Sequence, residues 1–118
     1  MDCWSKKLFK HFQNYYGKHI NKCEEDFIKG DFKSIIVSLS RTLIIEPEEF
    51  LNLLLVSSAH IGNDCFKDDK EERLKLYDRC VFTAKKYKIE LPKEVESLVT
   101  EEKKPVGLFN KLKSLFKK

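Results

Sequence analysis

His19 and Cys23 stand four residues apart, a spacing that sets two zinc ligands on one helical face. A zinc site needs at least one further ligand, and His60 and Cys80 are remote in sequence. The expected reading is a small buried cysteine at a helix crossing beside an ordinary histidine, with no metal. The acidic run Asp64, Asp68, Asp69, Glu71 and Glu72 invites comparison with a calcium loop. Such a loop needs oxygen ligands at alternating positions, a central Gly and a terminal Glu. Cys65, Phe66 and Lys67 interrupt that pattern, so the run reads as a solvated loop and helix cap. No GxSxG elbow, P-loop or GxGxxG turn is present, and four Cys and three His do not form a spaced nucleophile–base motif. The expectation is a chain that is not an enzyme and uses no cofactor.

Two further groups carry binding chemistry. Trp4, Phe9, Phe12, Tyr15 and Tyr16 are interleaved with Lys6, Lys7 and Lys10. Aromatics among cations can stack bases and hold phosphates. On an amphipathic helix the aromatics face the core and the lysines face water, so nucleic acid is not an expected partner. The second group is C-terminal. At about 100° per residue, Leu108, Phe109, Leu112, Leu115 and Phe116 share an arc of roughly 120°. Lys111, Lys113, Lys117 and Lys118 lie on the remainder. A basic amphipathic helix of this kind suits three roles. It can cover the last apolar face of its own body, lie in an anionic membrane interface, or dock in a partner's groove. These eight residues, Leu108, Phe109, Lys111, Leu112, Lys113, Leu115, Phe116 and Lys117, are the candidate contact site.

The chain that must position these groups has 118 residues, 42% hydrophobic and 36% charged, with a net charge of +4. That is one domain with a core, too apolar and too weakly charged overall for a disordered chain. Four Gly and three Pro are too few for a turn-rich all-β fold. The charge is segregated. Residues 1–22 set five lysines against Asp2, and residues 101–118 set six lysines against Glu101 and Glu102. Between them, residues 23–100 carry more acid than base. Cys3, Cys23, Cys65 and Cys80 form no CxxC pair and no dense disulfide framework, and the first residues lack the apolar region of a signal peptide. A reducing, cytoplasmic setting follows, with membrane association through the tail as an option. The most apolar run, Phe50 to Ile61, is short of the roughly 20 residues that span a bilayer.

Apolar spacing predicts helices throughout. Trp4, Leu8 and Phe12 mark one over 3–16, ended by Gly17. Ile20, Cys23 and Phe27 mark another over 18–29, with Gly30 as its C-terminal cap and Asp31 as the next N-cap. Phe32, Ile35, Ile36, Leu39 and Leu43 give a stripe over 32–46. Pro47 opens a central helix running to about Ile61, and 62–69 reads as a polar loop. Asp69 caps a helix over 70–88 on the face of Leu74, Tyr77, Val81 and Ala84, and Pro92 opens a short last one. No period-two run appears. The fold class is all-α, with residues 1–100 as one domain and 101–118 as a linker and tail helix.

The stretch Cys23 to Pro47 resembles a tetratricopeptide repeat, a helix–turn–helix unit of about 34 residues. Cys23 stands at the small-residue position, Gly30 and Phe32 at the turn, Leu39 at the aromatic position and Pro47 at the end; Ile35 and Thr42 replace the usual alanines. Leu53, Ser57 and Ile61, then Tyr77, Val81 and Ala84, read as a second repeat with a longer turn. The resemblance implies about two antiparallel helical hairpins over residues 16–92 and a concave face that binds peptides. The functional expectation is a small adaptor or chaperone-type module for a protein partner. A peripheral membrane protein anchored through 106–118 and an inhibitor or immunity-type binding protein are the alternatives.

Overall fold

The computed structural model describes residues 2–103, and these form six α-helices and one 3₁₀ helix with no strand. Helix α1 spans Asp2–Tyr16 and ends at Gly17, whose φ of 92° suits only a residue without a side chain. The stretch expected to be one helix over 18–29 divides into a 3₁₀ helix, Lys18–Cys23, and α2, Glu24–Lys29. Gly30 ends α2 in the left-handed region at φ 71°, and the Asp31 carboxylate accepts from Lys33 N, opening α3 (Phe32–Leu43). Both caps are as the residues predicted.

Helix α3 stops three residues earlier than its apolar stripe suggests. The residue before a proline is pushed out of the helical region, so the chain must leave the helix ahead of Pro47. It does so at Ile44, which takes a left-handed φ of 53° that a β-branched residue rarely adopts. Pro47 then starts α4, Glu48–Cys65, whose first-turn acids Glu48 and Glu49 match the positive end of the helix dipole.

The larger correction falls at 62–69. Rather than opening a loop, Gly62, Asn63, Asp64 and Cys65 form the last turn of α4. Tertiary contact overrides their turn-forming preference. Gly62 is buried where α5 (Lys70–Lys86) crosses, and a Cβ there would run into Leu76 Cδ2. Asn63 Nδ2 donates to Tyr77 Oη at 3.0 Å across the same junction. The turn proper is limited to 66–69, closed by Asp69, whose carboxylate accepts from Glu72 N at 3.2 Å. Helix α5 ends at Lys86, with Lys88 in the left-handed region, and α6 spans Lys93–Lys103. The segment expected as a linker therefore begins inside α6.

The core is continuous, and α1 is central to it. Trp4, Leu8 and Phe12 are fully buried, and α1 packs against the 3₁₀ helix, α2 and α4. Trp4 Nε1 donates to the Ser58 carbonyl of α4 at 3.0 Å, while its ring meets Phe32 of α3 with centroids 6.0 Å apart. Phe9 and Phe12 both pack on Phe27 of α2. Helix α4 is covered by α1, α5 and α6. On α5 the buried face is Leu76, Tyr77, Cys80, Thr83 and Ala84, rotated from the expected stripe, with Leu74 and Val81 only half-buried.

Candidate functional site

Helices α3 and α5 leave a groove of about 310 Å³ between them. Its floor is apolar: Phe32 and Ile36 from α3 are buried there because they continue the stripe that faces the core. Phe82 of α5 stands at its wall with 67% of its surface exposed, a large aromatic that the core does not use. Placed five positions beyond the buried Tyr77, Phe82 is turned well off the core-facing side of the helix.

The groove's rim is cationic. Arg79 lies one turn before Phe82 on α5, and its Nη1 donates to the Gly30 carbonyl at 3.1 Å. That bond ties α5 to the turn that opens α3. Lys86 sits a turn later, its ammonium 6.0 Å from the centroid of Tyr87. Lys33 adds a third cation from α3. The single acid of the lining, Asp31, is engaged as the helix cap: its carboxylate also accepts from Ser34 Oγ at 3.1 Å. An apolar floor under a cationic rim is chemistry for an acidic chain carrying an apolar side chain. A wider hollow of about 640 Å³ opens near Lys22, Asp26 and Arg41, but Val37 is its one large apolar residue and its charges are mixed.

The groups singled out by the sequence are distributed differently. Leu108, Phe109, Lys111, Leu112, Lys113, Leu115, Phe116 and Lys117 lie outside the described residues. His19 is exposed, whereas Cys23 is fully buried and donates through Sγ to Thr42 Oγ1 at 3.3 Å. Among the described residues, no three His, Cys, Asp or Glu are gathered as a metal site. Trp4, Phe9 and Phe12 point into the core while Lys6, Lys7 and Lys10 face water; of the N-terminal aromatics, Tyr15 is the one left exposed. No helix of the described residues is long and apolar enough to cross a membrane.

Two features went unread in the sequence. One is the groove, whose only linear sign is Phe82 standing outside the apolar stripe of its own helix. The other is a thiol pair, Cys3 and Cys65, with sulfurs 2.8 Å apart although the residues are sixty-two positions apart in the chain. No protein-family model, curated protein or solved structure matches the chain.

Proposed function

We propose that the chain is a non-enzymatic interaction module of the tetratricopeptide type, two helical hairpins that hold an acidic segment of a partner protein in the groove between α3 and α5. The observation that carries this reading is Phe82, 67% exposed beside the buried Phe32 and Ile36 and flanked by Arg79 and Lys86. A partner's leucine or aromatic side chain packs against Phe82 over this apolar floor, and its carboxylates meet the rim. Apolar burial supplies affinity, and the cations select the partner and speed its approach. The repeat-like reading draws support from three positions: the left-handed turn at Gly30, the small Cys23 buried against Thr42, and Pro47 at the start of α4.

Residues 105–118 have four lysines and no acid, so the cationic rim of the groove favours an acidic partner over this basic segment. In this reading the tail is a separate contact, with Leu108, Leu112 and Phe116 available to an anionic surface or to a second site on the partner. The reading is tested by titrating the full chain with acidic peptides that carry one leucine or phenylalanine anchor, and with the same peptides made basic. Binding of the acidic set, weakening as salt is raised, is the expected result. Equal binding of both sets, or of neither, overturns it.

A further inference from the structure

We propose that Cys3 and Cys65 are a modification site for low-molecular-weight disulfides, closing into a reversible disulfide that fastens the first turn of α1 to the last turn of α4. The two thiols approach each other at 2.8 Å between sulfurs, against about 2.05 Å for the bond itself, so closure takes a movement of under about 1 Å. They are also the accessible pair: Cys3 is exposed and Cys65 half-buried at the surface end of α4. The other two cysteines are sealed in the core. Burial pushes the Cys80 thiol up to about 12, and Cys23 is held against Thr42.

Exposure sets the order of events. The Cys3 thiolate attacks one sulfur of a small disulfide such as oxidised glutathione, forming a mixed disulfide and expelling one glutathione thiolate. Cys65 then loses its proton and attacks the Cys3 sulfur, expelling the second. Two protein thiols are oxidised by two electrons, and one glutathione disulfide becomes two thiols. Burial, with Cys3 and Asp64 adding to it, pushes the Cys65 thiol up to about 11, while Lys7 from α1 pulls in the opposite direction. Cys65 is thereby the resolving thiol rather than the first nucleophile. Helix α1 packs on both α2 and α4, so a bond at this point fixes the joint between the N-terminal helices and the rest of the core.

The test treats the full chain with oxidised glutathione and maps the products by mass spectrometry without reduction. A peptide linking Cys3 to Cys65 is expected, two hydrogens lighter than its parts, and reversible by dithiothreitol. The thermal midpoint should rise by roughly 10 °C on closure and return on reduction. Cys65→Ser should instead accumulate glutathione on Cys3, because nothing resolves it. A wild-type chain that keeps glutathione on Cys3 without forming the link overturns the proposal. So does a link that joins other cysteines, or one that leaves the midpoint unmoved.

Discussion

Arg73 of α5 grips Glu102 of α6 through two parallel hydrogen bonds, Nε to Oε1 at 2.9 Å and Nη2 to Oε2 at 3.0 Å. The remaining guanidinium nitrogen, Nη1, donates to the carbonyls of Phe66 and Lys67 in the turn after α4. One side chain therefore ties together α4, α5 and α6. Both partners are largely covered, their side chains 15% exposed, so solvent screens the pair less than it screens Lys29–Asp26 or Lys75–Glu72 at the surface.

The Arg73 hydrogen bonds hold the Glu102 carboxyl below its ordinary value. An unfolded chain then binds the proton more readily than the folded one as pH falls, so the stabilisation is present above the ordinary Glu range near 4.3 and is lost as pH drops through the folded value. Glu102→Gln should cost about 1–2 kcal/mol at neutral pH and flatten this part of the acid profile. Urea denaturation of both proteins at a series of pH values checks it. Parallel profiles would show that the pair does not carry the acid sensitivity.

Ile44 is 85% exposed and held at a left-handed φ, so its side chain gains little from burial while its backbone is strained. Ile44→Gly should stabilise the chain by about 1 kcal/mol, since the conformation costs an L-residue roughly 1–2 kcal/mol and Gly much less. A shift of the urea midpoint to higher concentration, with an unchanged slope, is the expected observation. Destabilisation would mean that the Ile44 side chain contributes packing its exposure does not suggest.

Phe82→Ser and Lys86→Glu separate binding from folding. Both positions are exposed, so each variant should stay within about 1 kcal/mol of the parent in stability, Lys86→Glu losing a favourable charge in the last turn of α5. Each should nevertheless weaken the acidic peptide about tenfold or more, Phe82→Ser by removing the apolar wall and Lys86→Glu by reversing a rim charge. Calorimetric titration alongside thermal melts reads both quantities. A loss of binding that tracks a loss of stability would remove the groove as its cause.

A chain ending at Lys104 tests the tail. On the reading that the tail is a separate contact, the truncated chain's melting midpoint and its affinity for the acidic peptide should match those of the full chain. Sedimentation with vesicles containing anionic lipid, measured for both, shows whether Leu108, Leu112 and Phe116 have a lipid contact to lose. A truncated chain several kcal/mol less stable would place those side chains in its own core instead.

Helix existence and most caps were legible in the sequence. Local chemistry decides them: Gly30 tolerates a left-handed φ, the Asp31 and Asp69 carboxylates satisfy free helix N–H groups, and Pro47 fits a helix start. Helix ends were less legible wherever a distant residue intervenes. The stretch 62–65 carries turn-forming residues, yet Leu76 and Tyr77 arriving from α5 hold it in α4. The burial face of α5 was misplaced for a similar reason. Cys80 and Leu76 look unremarkable in a periodic count, but both are buried on the helix that packs against α4 and α6, Leu76 directly against Gly62.

The linear order of residue types was enough to determine helices throughout the described residues, the caps at Gly30, Asp31 and Asp69, the segregated charge and the buried Trp4, Phe9 and Phe12 of α1. Those follow from hydrophobic period and backbone sterics, which act over a few neighbouring residues. Only tertiary structure decided that α1 joins the 3₁₀ helix and α2 to α4, that Phe82 is left facing a cationic groove, and that Cys3 meets Cys65. These depend on how rigid helices pack on one another. A side chain's neighbours across such a contact bear no fixed relation to its position along the chain.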